Sequence, residues 1–282
     1  MKRIAVFVAS LVCIGACEAQ AKEPEKAEMT IVCYNIRSDI DGKFTDGDNS
    51  WCYRMDASFD MVNDIRPDVM GMQEARPHQL YDMEANLPRY RRIGVGRDDG
   101  RAKGEHAAIM FNKQTVRLLD WGTYWLSETP DIPSMGWDAS YPRTATWAKM
   151  RHIASGKEFF FVNTHLDHRG KEAQKNGLAL VRERIAAMNP DNLPLILMGD
   201  FNVNPDDSCI LELDKEMTCA RCSATDSDTK GSFNGWGTSS RVIDYIYYSG
   251  FSACPTFKVI DKQYGKVPYI SDHYPVYTIL KF

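Results

Sequence analysis

Five short segments each end an apolar run in a side chain that can bind a metal or move a proton. They are Cys33-Tyr34-Asn35-Ile36, Met72-Gln73-Glu74, Asn163-Thr164-His165-Leu166, Met198-Gly199-Asp200-Phe201-Asn202 and Ser271-Asp272-His273-Tyr274-Pro275. One such segment alone is turn or strand-cap chemistry. Five in one chain point to a built site. Asn35 and Glu74 offer oxygen ligands, which suit a hard cation such as Mg²⁺ that keeps its waters and takes few protein groups. Histidine and carboxylate together are the residue types of a general acid–base pair, in which one group accepts a proton and another orients it.

These segments need elements to hold them. Residues 29–36 alternate and are β-rich, so they are read as a first strand. Residues 51–65 carry Met55, Phe59, Val62 and Ile65 at helical spacing and stop before Arg66-Pro67, as a helix should. A short buried strand over 69–72 and a helix over 77–87 follow, then strands over 90–95, 107–111 and 116–124. Residues 144–152 and 158–164 read as a hairpin around Ala154-Ser155-Gly156. The pattern then restarts with a helix over 172–188 and an apolar strand over 195–198, and late strands are read over 242–248, 256–260 and 274–280. Strand–helix units in two halves, with hairpins between, predict two sheets packed face to face and covered by helices. All five segments fall at strand ends, where ligands gather.

The bulk of the chain is ordinary: 282 residues, 44% hydrophobic and 26% charged, which excludes a largely disordered protein. The beginning is more specific. Lys2 and Arg3 precede an apolar run from Ile4 to Ala16 that is too short to span a bilayer and ends in small residues. That is the layout of an export signal. Ile14-Gly15-Ala16-Cys17 resembles a bacterial lipoprotein cleavage box, so residues 1–16 are read as the signal, 17–28 as a charged tether and 29–282 as the domain. Cys17 is then a candidate for lipidation and membrane attachment, and the location is the periplasm or the cell surface. Without Lys2 and Arg3 the 34 basic residues fall to 32 against 38 acidic ones, a formal charge of −6. Clustered basic charge is the usual source of nucleic-acid affinity, and this balance argues against a duplex-DNA partner. Cys219-Ala-Arg-Cys222 has redox or zinc spacing, but no second ligand pair sits nearby to complete a four-ligand zinc site. A local disulfide or two unrelated thiols is the reading retained.

The five segments in this order resemble the endonuclease/exonuclease/phosphatase family, which includes deoxyribonuclease I, and the likeness runs from about Met29 to Phe282. The resemblance implies an α/β fold, a four-layer sandwich of two mixed β-sheets flanked by helices, and a metal-dependent phosphoric ester hydrolase using Mg²⁺, with Mn²⁺ as substitute. It places Asn35, Glu74 and Asp272 at the metal, His273 as general base and Asp244 as the carboxylate that orients it. Asp200 matches the residue that positions the water, and Asn202 the one that holds a phosphate oxygen. His165 matches a second histidine that donates to the phosphate, and Glu105, before the apolar run from His106 to Phe111, matches its partner. Arg143 falls where several members place a phosphate-contacting arginine.

Other features are weaker. Arg97-Asp98-Asp99-Gly100 reads equally as a substrate contact or a solvated turn. Asp167 and His168 are assigned a loop role, Trp121, Tyr124, Trp125 and Trp137 core or rim positions, and Asp39, Asp41, Asp46 and Asp48 solvated charge. The segment Gly94 to Gly100, with Arg143 and Trp147, is similar to a poorly characterised exported bacterial branch. Neither the basic motifs of inositol-polyphosphate phosphatases nor a membrane-inserting aromatic hairpin is found. A small or sugar-linked phosphoester is therefore favoured over nucleic acid, on a monomeric enzyme. The alternatives are a secreted nuclease and an inactive surface binding protein of the same fold.

Overall fold

Alternate residues of the first strand, β1 (Glu28–Asn35), go to opposite sides: Met29, Ile31 and Cys33 join one apolar cluster, Val32 and Tyr34 another. The two-residue repeat of a strand requires this, and a strand buried on both faces needs cover on both. In this computed structural model, which describes Met1 and residues 27–40 and 46–282, the cover is a second sheet on one side and helices on the other. The export signal, Cys17, most of the tether and Asp41 lie outside the described residues. Among the described residues no helix is long and apolar enough to cross a membrane.

The strands are β2 (Val69–Ala75), β3 (Tyr90–Ile93), β4 (His106–Asn112), β5 (Val116–Trp125), β6 (Thr144–His152), β7 (Glu158–His165), β8 (Leu195–Asp200), β9 (Thr218–Cys219), β10 (Asp226–Ser227), β11 (Asp244–Ser249), β12 (Ala253–Val259) and β13 (Val276–Lys281). One sheet has the order β10-β12-β13-β1-β2-β4-β3, the other β5-β6-β7-β8-β11-β9. Each contains a central parallel pair, β1 with β2 and β7 with β8. Parallel neighbours need a long crossover, usually helical. Helix α1 (Trp51–Ile65) supplies the first, and α3 (Lys171–Met188) the second. Trp51, Met61 and Val62 of α1, with Leu80 and Met83 of α2 (Pro77–Asn86), cover the outer face of the first sheet. Leu178, Val181 and Ile185 of α3 cover the second, helped by Ile210 and Leu213 of α4 (Ser208–Leu213). The result is the expected four-layer α/β sandwich.

The layers are locked together just beneath the site. Gly71 has no side chain where a Cβ would stand 2.5 Å from Met198 Sδ and 2.8 Å from Asn163 Oδ1. Asn163 of β7 therefore reaches the opposite sheet, and its amide nitrogen donates to the carbonyls of Met72 and Ala108, each at 2.8 Å. Gln73 Nε2 donates to Asn163 Oδ1 at 2.6 Å. A buried network satisfied in this way fixes one alignment of the sheets. At Gly199, with φ +151°, a Cβ would fall 1.9 Å from the Thr164 carbonyl oxygen, so glycine lets β7 and β8 close up one residue before Asp200.

Helix α1 ends where expected, at Arg66 in left-handed conformation directly before Pro67. The short α4, α5 (Ala220–Ser223), β9 and β10 have no counterpart in the sequence reading, because elements of two to six residues carry too little periodicity to stand out. β8 runs to Asp200, two residues past its expected end, since Gly199 and Asp200 continue the pairing with Thr164 and His165. All six cysteines of the described residues are free thiols, Cys219 and Cys222 among them.

Candidate active site

Asn35, Glu74, His165 and Asp200 stand at or near the ends of the two parallel strand pairs, and Asp244 opens β11 beside Asp200. Asp272 and His273 come from the turn before β13, whose backbone is tied to Asn234 and Gly235 through the Asp272 carbonyl. Glu74, His165, Asp200, Asp272 and His273 line one cleft of about 380 Å³ together with Arg37, Arg76, Arg97, Arg143 and Arg241, and Asn35 and Asp244 back it through hydrogen bonds to Asp200 and His273. Three cleft residues, Arg37, Glu74 and Asn202, have φ between +55° and +63°. Left-handed backbone at non-glycine residues costs energy and clusters where side chains must be aimed. At Glu74 the pairing of β2 with β4 also shifts register between Met72 and Ala75. The bulge turns the carboxylate into the cleft.

His273 is buried, and its Nδ1–H donates to Asp244 Oδ2 at 2.8 Å. Its Nε2 lies 3.7 Å from Asp200 Oδ2. Burial pulls its proton affinity down, but the carboxylates of Asp244, Asp200 and Asp272 overcome this and raise it to about 10. Asp200 is raised to about 7, first by burial and then by Asp244. It accepts from Asn35 Nδ2 at 2.9 Å and from the Asn202 backbone at 2.9 Å. Burial likewise raises the Asp272 carboxyl. Glu74 is the exception: Arg37 and the Ser38 N–H, which donates to it at 2.9 Å, outweigh its burial and hold it low.

His165 is driven well below its ordinary value by burial and by Arg143 and Arg97. The ring is therefore neutral, and its Nε2 accepts from Asn202 Nδ2 at 3.0 Å. Two ligand-capable groups share Asp200: Glu74 with His165 and Asp200, and Asp200 with Asp244 and His273, each within 4.8 Å.

One expectation needs correction. Glu105 does not partner His165. It accepts from Arg97 Nη1 at 2.5 Å instead, because Arg97 sits closer and carries a full charge. The Asn35 amide nitrogen donates to Glu74 at 3.1 Å and to Asp200, and its oxygen accepts from the Arg37 N–H at 3.0 Å. Two flanking carboxylates are better satisfied by a donor. Asp272 joins neither ligand group, its carboxylate lying 3.8 Å from Arg37 Nη1.

Arg143 is buried at the cleft wall. Its Nε donates to Asp167 Oδ2 at 3.3 Å and its Nη2 to His168 Nδ1 at 3.0 Å, while its buried Nη1 has no partner. An unpartnered guanidinium nitrogen inside a polar cleft is costly unless an anion meets it. Asp167 is thus more than a loop residue: it aims Arg143. It also accepts from the backbones of Ser140, Arg169 and Gly170. Against its burial, these donors and Arg143 hold its carboxyl below the ordinary value. A depressed carboxyl contributes stability that is complete above the unfolded value of about 4 and is lost as pH falls through the folded one. Asp167→Asn is accordingly expected to cost about 2 kcal/mol at pH 7, with the deficit shrinking below about pH 4, as urea denaturation at pH 7 and 3.5 would show.

The sequence reading missed Arg37, Arg76 and Arg241 and left Arg97 between a substrate contact and a solvated turn. Arg97 belongs to a tight turn closed by backbone bonds between Gly96 and Arg101 and between Arg97 and Glu105, and its guanidinium packs over the Tyr141 ring at 5.0 Å. Tyr141 in turn stacks on His168 at 5.9 Å. The signal was present in Gly94-Val95-Gly96-Arg97, but nothing local showed which way the turn faces. Asp46 and Asp39 are also engaged, the first by Arg37 and the second by His78.

Residues 32–273 match the model of a family described as endonuclease/exonuclease/phosphatase. Among solved structures, a mannosyl-6-phosphatase of Bacteroides thetaiotaomicron is 36% identical with a TM-score of 0.85, covering 90% of this chain and 100% of its own. An endonuclease/exonuclease/phosphatase family protein of the same species is 35% identical with a TM-score of 0.85, covering 90% and 97%. An uncharacterized protein of Acanthamoeba polyphaga mimivirus is 26% identical over 254 residues, 82% of this chain and 92% of that one.

Proposed function

The chain belongs to the endonuclease/exonuclease/phosphatase family, and from that premise we propose that it is a divalent-metal-dependent hydrolase of phosphate esters on small, sugar-like molecules, acting outside the cytoplasm. One observation carries the reading: a His–Asp pair, converging carboxylates and an unpartnered guanidinium nitrogen of Arg143 share one small cleft.

The donor set fits a hard cation. Glu74 and Asp200 converge, flanked by Asn35 and Asp272, and the raised carboxyls of Asp200 and Asp272 mark negative charge that burial leaves uncompensated. Mg²⁺ or Mn²⁺ held there would polarise a phosphoryl oxygen and stabilise charge in the transition state. The remaining work belongs to the chain. Asp244 fixes the His273 ring with Nε2 toward Asp200, so a water held by Asp200 is within reach of that nitrogen as base. Arg143, aimed by Asp167, offers its free donor to a phosphate oxygen, while the Asn202 amide holds the His165 ring and the Leu166 carbonyl beside it. His165 lies behind them, and a phosphate dianion beside it favours the protonated, donating ring.

The cleft of about 380 Å³ is of a size for a small ligand. The similarity to a mannosyl-6-phosphatase supports a hexose phosphate as first substrate to try. The purified protein should release inorganic phosphate from mannose 6-phosphate with Mg²⁺ and lose that activity on chelation. A panel adding an aryl phosphodiester, single-stranded DNA and RNA tests the scope. Turnover of DNA alone would make it a nuclease, and tight binding without turnover of any ester under Mg²⁺ or Mn²⁺ would leave a binding protein.

A further inference from the structure

The end of the sandwich away from the cleft carries a groove of about 750 Å³ between the edge strands β3 and β5. Its position follows from the registers. Phe111 pairs with Val69, five residues before Glu74, and Val116 pairs with His152, at the opposite end of the ladder from Trp125 and Thr144. Ile93 and Phe111 contribute its apolar wall, and the half-exposed Trp121 and exposed Ile153 stand at its lip.

The charge around it is of one sign. Arg91, Arg92, Lys113 and Arg117 line the groove and no carboxylate does. Arg92 is held by Glu84 at 3.2 Å. Among the described residues, Arg91, Lys113 and Arg117 make no side-chain ion pair or hydrogen bond. In a chain with more acidic than basic residues, three unpaired cations around exposed apolar side chains form a local exception.

The chain also enters the domain at this place. The Phe282 N–H donates to the Ala27 carbonyl at 2.9 Å, and the Phe282 ring stacks on His152 at 5.5 Å, next to Ile153 of the groove. Ala27 lies ten positions after Cys17, a contour of at most about 36 Å.

We propose that this groove docks on the anionic headgroups of a lipid leaflet, with Trp121 and Ile153 at the interface and the catalytic cleft facing away from the bilayer. Unpaired basic groups meet phosphates of the leaflet. An indole beside them sits where water gives way to hydrocarbon. The two effects add in peripheral membrane binding. A lipid leaflet suits this surface better than an acidic peptide because exposed apolar groups sit at the lip among the cations and the chain enters the domain beside them.

The test is sedimentation of the full chain with vesicles, using equimolar phosphatidylglycerol and phosphatidylcholine against phosphatidylcholine alone. The wild type should partition preferentially onto the anionic vesicles. Each basic residue near an anionic surface is worth about fivefold in partitioning, so Arg91→Glu/Arg117→Glu should lower it at least tenfold. Trp121→Ala should lower it less, and thermal unfolding shows that the variants are folded. The N-terminal apolar run is common to all, so the difference reports the groove. Equal binding to both vesicle types, or a double variant that sediments like the wild type, overturns the proposal. So does an absence of vesicle binding with polyglutamate binding that the double variant loses, which would make the groove a site for acidic polypeptides.

Discussion

Replacing His273 by alanine is expected to lower kcat on an aryl phosphate by about 10³-fold, within the range that general acid–base groups contribute, and to leave KM within a few-fold. The ring does nothing to hold a phosphate: its Nδ1–H is given to Asp244, and its Nε2 faces Asp200 across 3.7 Å. Its removal therefore deletes proton transfer and spares binding, which rests on the free donor of Arg143. The proton affinity of about 10, set by three carboxylates against burial, shows how strongly the ring is tuned. A base must begin without its proton, so the same carboxylates have to be neutralised before the ring can work. Alanine also strands the Asp244 carboxylate, whose Oδ1 already lacks a partner, and breaking a buried pair is destabilising. His273→Asn is the companion variant, since it keeps a polar group beside Asp244. Circular dichroism melts of both variants separate lost chemistry from lost fold. A loss under tenfold in kcat, or a loss confined to KM, would remove His273 from the role of base.

The strand ends were legible because each chemical residue closes an apolar run whose period announces it. Helix α1 could be bounded at its C-terminal end, since Arg66-Pro67 stops it. Of the seven residues named for the site from these runs, six line one cleft and Asn35 donates to two of them. What the sequence could not show is which partner a charged group chooses. Glu105 was paired with His165 by resemblance, yet Arg97 lies nearer and takes it. Asp167 looked like loop chemistry until its four hydrogen bonds showed it aiming Arg143. The orientation of the Asn35 amide is likewise set by two carboxylates from distant strands. Overall charge misled in a similar way: the chain is acidic, but five arginines line the cleft. Local pattern specifies elements and their ends; pairings among side chains brought together by the sheets belong to tertiary structure.

Adding Mg²⁺ to metal-free protein is expected to raise the melting temperature, and Asp200→Asn to remove most of that rise. Asp200 is raised to about 7 by burial and by Asp244, and Asp272 is raised by burial. In each case the folded protein prefers the protonated acid. Folding therefore binds protons between the unfolded value near 4 and the folded value, and stability falls as pH rises through that window. His273, raised to about 10, works in the same direction above its unfolded value of about 6.5. Metal-free protein should accordingly melt higher at pH 5 than at pH 7.5. A cation bound by the folded state alone at 100 times its dissociation constant adds about 2.7 kcal/mol, or roughly 5–10 °C for a chain of this size. It should also flatten the pH slope, because it supplies the charge that the protons otherwise bring. Asp200→Asn removes one of the crowded charges, so that variant should melt higher than the wild type without metal and respond little to it. Calorimetry in chelator and in Mg²⁺, at both pH values, reads all of these together. If neither Mg²⁺ nor Mn²⁺ shifts the wild type, or if both proteins shift equally, the carboxylates around Asp200 do not hold a cation.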